Sequence, residues 1–152
     1  MRMHTTAHTL GFGIFQAYYG VSRRLRKIFA DNGIEEMGPT ELGILLLLAE
    51  RDGRRMTEIA DLLNVQKSTL TGVIDRMVRD AHVERRADES DRRAHRIYLT
   101  LEARYRAKSV SVLVEKTYAE LSAGLTPEEI ETAAKALDVI NENCTRLGQS
   151  SP

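Results

Sequence analysis

Apolar residues fall into helical registers along most of this chain. From about His8 to Ala30, Ile14, Tyr18, Val21, Leu25 and Ile28 recur at alternating steps of four and three, the seam of a helix that packs lengthwise on others. Phe12, Phe15 and Tyr19 widen that stripe. Asp31-Asn32-Gly33 ends it, because glycine accepts the left-handed conformation at a helix end. A second helix opens at Gly38-Pro39, with proline suited to the first turn, and runs to about Asp52. Gly53-Arg54-Arg55 is a short break. Thr57 is the expected cap of a third, short helix with Met56, Ile59, Ala60 and Leu63 on one face. A fourth helix follows after only Asn64 and Val65.

The pattern then changes. Val83 to Ala87 and Arg96 to Leu99 read as two short strands around the polar loop DESDRRAH, hence a hairpin. Thr100 opens a long helix to about Ala123, with Val110, Val114, Thr117 and Leu121 in seam spacing, and Gly124 ends it. Thr126-Pro127-Glu128-Glu129 is a capping box with proline at the first position. The last helix carries Ala133, Leu137, Ile140, Cys144 and Leu147 in a seam. Long seamed helices therefore flank a middle of short elements and tight turns.

Residues 59–73 meet the steric conditions of a helix-turn-helix. Ile59, Leu63, Val65, Leu70 and Val73 are apolar where two crossed helices share a core. Ala60 is small where they pass closest, and Asn64 tolerates the left-handed turn. On the fourth helix, at about 100° per residue, Leu70, Val73, Ile74, Met77 and Val78 cluster on one side. Opposite stand Ser68, Gly72, Asp75 and Arg79, flanked by Thr69, Thr71 and Arg76, with Lys67 at the amino-terminal end.

A face that is merely solvated is usually built of long helix-favouring residues. Gly72 costs a helix about 1 kcal/mol relative to alanine. Short hydroxyls and a glycine let a backbone approach another surface closely, Ser and Thr bond phosphates or base edges, and Arg76 reaches a guanine edge or a phosphate. The reading is a helix that enters a DNA major groove; an ordinary exposed helix with a chance glycine is the alternative. In the hairpin, Arg92, Arg93, His95 and Arg96 suit the negative minor groove, against the alternative of a solubilising turn in which Asp88, Glu89 and Asp91 offset the charge.

Charge fits a local basic surface. The chain of 152 residues is neutral overall, yet residues 1–30 carry +5, residues 31–65 carry −5 and residues 66–96 carry +2. Neutrality of the whole therefore does not exclude an anionic partner. One cysteine excludes an internal disulfide framework and suits a reducing compartment. His4 to His8 offers no apolar signal-peptide core, and Ile44 to Ala49 is too short a run to cross a bilayer. A soluble, cytoplasmic protein is expected.

The order of elements and the segment D-E-S-D-R-R-A-H-R-I-Y-L-T, residues 88–100, resemble the MarR family of winged-helix transcription regulators. I-A-D-L-L-N-V-x-K-S-T-L-T, with Gln66 at x, supports the resemblance, which covers nearly the whole chain. It implies a mainly α fold: a winged helix-turn-helix lobe with a two-stranded wing (35–100), between an N-terminal dimerisation helix (1–34) and C-terminal dimerisation helices (101–152). It implies a homodimer whose lobes bind successive major grooves of a pseudo-palindromic double-stranded DNA operator.

Family pattern places the reading helix at Lys67 to Arg79, the minor-groove arginine at Arg93 with Arg92 beside it, and the wing-bracing aspartate at Asp91, with Arg76 its candidate partner. Small aromatic or phenolic effectors are typical of the family, in a crevice that Phe12, Phe15 and Tyr19 are candidates to line; plain packing is the alternative for that stripe. Glu89 stands where the family usually has proline, and Gln66 where it often has a capping serine or threonine.

Other chemistry finds little footing. A phosphate loop, Cys-x-x-Cys and His-Glu-x-x-His are all missing, so no enzyme and no cofactor are expected. His4 and His8 have i,i+4 spacing but no third ligand, and His82 and His95 show none, so no metal is expected. Cys144 reads as a small hydrophobe of the seam rather than a redox sensor. A winged-helix module for protein contacts, without DNA binding, is the second reading. It should have replaced the reading face by acids or large apolar residues.

Overall fold

The computed structural model describes residues 6–91 and 94–149. Along them run α1 (Thr6–Asp31), α2 (Pro39–Glu50), β1 (Arg54–Arg55), α3 (Met56–Leu63), α4 (Lys67–Arg79), β2 (Val83–Ala87), β3 (His95–Leu99), α5 (Leu101–Leu121) and α6 (Pro127–Gln149). His4, Arg92 and Arg93 lie outside the described residues.

The local stop and start signals act as their chemistry dictates. Gly33 and Gly124 have φ of +66° and +94°. Asn64 takes φ 49°, ψ 47°, and its N–H turns back to the Ala60 and Asp61 carbonyls. Pro39 occupies the first turn of α2. The Thr126 N–H donates to Glu129 Oε2 at 2.8 Å, while the Glu129 N–H donates to Thr126 Oγ1 at 3.2 Å. That reciprocal pair satisfies two donors that a helix start leaves orphaned.

Three details differ from the sequence reading. Thr57 lies inside α3, whose N-cap is Arg55 without a side-chain cap bond. The segment expected to be only a break contains β1, so the sheet has three strands in the order β1-β3-β2, not two. Arg54 faces Ile97 and Arg55 faces Arg96, while Arg85 pairs with Ile97 from the other side. Gly53 makes this possible at φ +71°, with the Tyr98 ring so close that a Cβ would stand 2.7 Å from it. Lastly Val78, expected on the apolar side of α4, is 38% exposed.

One core joins the short elements to the inner parts of the long ones. Ile44, Leu45 and Leu48 of α2 meet Ile59 and Ala60 of α3, Leu70, Ile74 and Met77 of α4, and Ile97 of β3. Ala103, Ala107, Val110 and Val114 of α5 and Leu25 and Phe29 of α1 close it. Arg54 is buried with them, its guanidinium bonded to Glu50 (3.1 Å), Glu58 (2.6 Å) and the Leu47 carbonyl (3.1 Å). Satisfying all sides of a buried guanidinium pins the start of α3 to the end of α2.

The outer helices are different. Leu10, Phe12, Phe15, Tyr18 and Tyr19 of α1 and Ile130, Leu137, Val139 and Leu147 of α6 are exposed large hydrophobic side chains. In α6, between residues 127 and 147, only Ile140 and Asn143 are partly covered. Thr145 Oγ1 reaches back to Asn64 Oδ1 at 2.8 Å.

Candidate nucleic-acid interface

The crossing of α3 and α4 decides which side of α4 is free. Leu70 and Ile74 are fully buried and Met77 nearly so, with Val73 packed at the edge. Lys67, Ser68, Thr69, Thr71, Gly72, Asp75, Arg76 and Arg79 are all exposed. Among the described residues, no atom outside the helix lies within 4 Å of where a Gly72 Cβ would stand. Internal packing therefore does not require glycine there, and its helix penalty of about 1 kcal/mol is left without an internal reason.

Gln66 is the N-cap of α4 and makes no side-chain cap bond, so the first-turn amides keep their donors for an outside acceptor such as a phosphate. The Thr71 hydroxyl donates back to the Lys67 carbonyl at 2.8 Å, which leaves its lone pairs for a donor. Arg79 stands 3.7 Å from Asp80 at 74% side-chain exposure, a pair worth little in water. Arg85 Nη2 of β2 reaches Asp75 Oδ1 at 2.7 Å, tying the sheet to α4 and neutralising the one carboxylate on this face.

The wing is braced at its base. Asp88, 2% exposed, accepts from Arg55 Nε at 2.7 Å and stands 2.7 Å from Arg96 Nε. Its other oxygen accepts from the Ser90 amide (2.8 Å) and hydroxyl (2.6 Å), an Asx turn that reverses the chain after β2. Arg55 also bonds Ser90 Oγ at 2.8 Å. The Arg55 hydrogen bond, then those of Ser90, hold the Asp88 carboxyl far below the usual carboxylate range, and Asp88 in turn raises the Arg55 guanidinium. Arg86 lies over the Tyr98 ring, 4.4 Å from its centroid.

The sequence reading put the wing brace on Asp91 with Arg76 as its candidate partner and did not name this clamp; Asp88 is held by Arg55 and Arg96, while Arg76 is exposed on α4. The reason is register: Asp88 directly follows β2 and faces β1 and β3 across the sheet base. Asp91 lies further out, where its carbonyl accepts from the Ala94 amide at 2.9 Å. The spacing Asp88-x-Ser90 was the legible sign; the arginines, distant in sequence, were not.

The aromatic stripe divides. A cavity of about 640 Å³ between α1, α2 and α5 is lined by Tyr18, Tyr19, Leu25, Phe29, Leu46 and Tyr118 among others. Tyr19 is thus at this crevice. Phe12 is not, and Phe15 borders only a shallower hollow with Tyr19 and Arg23. Cys144 is exposed. Among the described residues no three His, Cys, Asp or Glu side chains could hold a metal ion, and no helix is long and apolar enough to cross a membrane.

Two crossed helices, the second presenting a hydroxyl- and arginine-bearing face, followed by a braced hairpin on a three-stranded sheet, define a winged helix-turn-helix lobe. Residues 37–95, most of this lobe, match the model of the MarR family. It is similar to the HTH-type transcriptional repressor YetL of Bacillus subtilis (strain 168), 33% identical over 99 residues, 61% of this chain and 58% of that protein. The match therefore spans less than two thirds of that relative. Among solved structures, the transcriptional repressor CouR bound to a 23-mer DNA duplex superposes with a TM-score of 0.73 at 24% identity, over 92% of this chain and 97% of that one. NadR in complex with 4-hydroxyphenylacetate gives 0.73 at 20% identity, over 93% and 96%. At these identities the two structures establish the fold.

Proposed function

We propose that the protein is a dimeric, sequence-specific double-stranded DNA-binding transcriptional regulator, a repressor that blocks a promoter by occupancy. The carrying observation is the free face of α4, where Gly72 has open space beyond it among exposed hydroxyls and arginines. Ser68, Thr69 and Thr71 meet phosphates or base edges, Lys67, Arg79, Arg92 and Arg93 meet the backbone or the minor groove, and Arg76 reads a base. The DNA-bound repressor of the same fold favours this reading over a protein-contact module.

Dimerisation is supported by the exposed large apolar side chains of α1, α5 and α6, since contiguous exposed apolar surface marks a protein-contact face. In the dimer the two α4 helices would lie about 34 Å apart, one turn of duplex. A small aromatic or phenolic effector fits the tyrosine-bordered cavity between α1, α2 and α5. It would act by favouring a lobe spacing that no longer matches the operator.

The test is a mobility shift across salt on duplexes selected from a random pool. Affinity is expected to fall steeply as salt rises, since phosphate contacts release counterions. Arg93→Ala should weaken all duplexes, while Arg76→Ala should alter sequence preference. Equal loss on every duplex for Arg76→Ala would exclude base reading, and salt-insensitive or absent binding would exclude the function.

A further inference from the structure

The carboxyl end of α4 is tied to two other helices at one point. Ala81 takes φ +56°, a conformation that side-chain-bearing residues rarely adopt, and the His82 N–H returns to the Met77 carbonyl at 2.8 Å. Thr100, N-cap of α5, holds both residues. Its N–H donates to the His82 carbonyl at 3.1 Å and its hydroxyl to the Ala81 carbonyl at 2.8 Å. The His82 ring then bridges outward: Nε2 is 3.2 Å from Arg106 Nη1 on α5, and Nδ1 is 3.6 Å from Glu41 Oε1 on α2. Glu35 stands behind Arg106 at 3.8 Å. Met37, Leu45, Met77 and Ala103, all uncharged, line the remaining space.

A guanidinium only donates. Its approach to Nε2 therefore requires that nitrogen to be bare, which puts the ring proton on Nδ1, toward Glu41. A second proton would set N–H against N–H and cation against cation at Arg106, while strengthening the attraction to Glu41. Imidazole is the side chain whose ordinary titration falls between pH 5 and 8.

We propose that His82 is a positioning residue for DNA binding, a proton-controlled joint. Neutral, it couples the end of the reading helix to α5 through Arg106; protonated, it releases α5 and leans on α2, so that the lobe is less firmly set for two adjacent grooves. The inference rests on the DNA-binding reading and adds a regulation to it.

Two measurements on the full chain test it. Nitrogen-15 spectra of the histidine rings without DNA should show His82 as the Nδ1–H tautomer at pH 8, and the Nε2–H tautomer would overturn the joint. Affinity for the selected duplex is then compared at pH 7.5 and 5.5, at constant ionic strength. His82→Gln retains an acceptor for Arg106 and a donor for Glu41 but cannot gain charge. It should match the wild type at pH 7.5, and the wild type should lose at least about fivefold more affinity on acidification. His95 is present in both proteins, so its contribution cancels. Arg106→Gln, which removes the opposing cation, should flatten the same difference and serves if His82→Gln folds poorly. Identical pH dependence in wild type and variants would sink the proposal. A wild type that binds no duplex at either pH would end the DNA reading and the positioning role together, while the ring spectrum separately reports whether the joint exists.

Discussion

The winged lobe and the outer helices are built from similar apolar side chains and meet opposite fates. In the lobe, Ile44, Ile59, Leu70, Ile74 and Ile97 are all fully buried, and even Arg54 finds every partner within it. In α6, Leu137 and Val139 are 46% and 56% exposed. Hydrophobic burial stabilises in proportion to the area taken from water. The lobe collects that contribution within the chain, whereas α6 and the amino-terminal half of α1 keep large apolar side chains in water. The contrast teaches that seam spacing announces packing without saying whose surface completes it.

The largest expected effects probe that division directly. Ile74→Ala opens a cavity in the lobe and should destabilise it by about 3–4 kcal/mol, read by chemical denaturation with a lobe-specific probe such as hydrogen exchange on α3 and α4. Leu137→Glu should leave exchange in the lobe unchanged while weakening self-association at least about a hundredfold, read by sedimentation equilibrium. Were Leu137→Glu to unfold the lobe, or to leave the association state untouched, the contrast between the two regions would collapse.

A smaller effect separates the wing base from the core. The folded Asp88 carboxyl is held below its unfolded value, so its stabilisation is complete above about pH 4 and is lost as pH falls through the lowered folded value. Asp88→Asn should therefore lower the melting temperature at pH 7 and reduce the steepness of the acid limb. The brace would be refuted by a variant whose melting curve followed the wild type from pH 3 to 7.

The smallest effect has the sharpest sign. Gly72→Ala should stabilise α4 by about 1 kcal/mol, because nothing among the described residues opposes the new methyl group, while it weakens binding to the selected duplex. Thermal melting and a shift assay on the same preparation read both. A variant that melts higher and binds DNA equally well would remove the close-approach argument for this glycine.

Much of the candidate site was legible because its determinants are local. The apolar period of Leu70, Ile74 and Met77 says which side of α4 is buried, so the exposed side follows without tertiary information. Val78 escaped, since it sits at the edge of that stripe in the last turn. The wing was read less well. Its loop is recognisable by composition, but its clamp joins residues 33 positions apart, Arg55 and Asp88, and no local pattern names a partner at that distance. β1 was missed for the same reason: a two-residue strand has no period, and its ladder partners Arg96 and Ile97 lie beyond three intervening elements.

By itself the sequence determined most helix starts and stops, which face of each is apolar, and the chemistry of the exposed face of α4. These follow from backbone sterics, capping and periodicity within a few residues. Only the tertiary structure decided that Asp88 is clamped by Arg55 and Arg96, that Tyr19 but not Phe12 borders the cavity between α1, α2 and α5, and that His82 meets Arg106 and Glu41 at one point. Each of those depends on segments far apart in the chain arriving at the same place, which is a property of the packed core and of no single stretch within it.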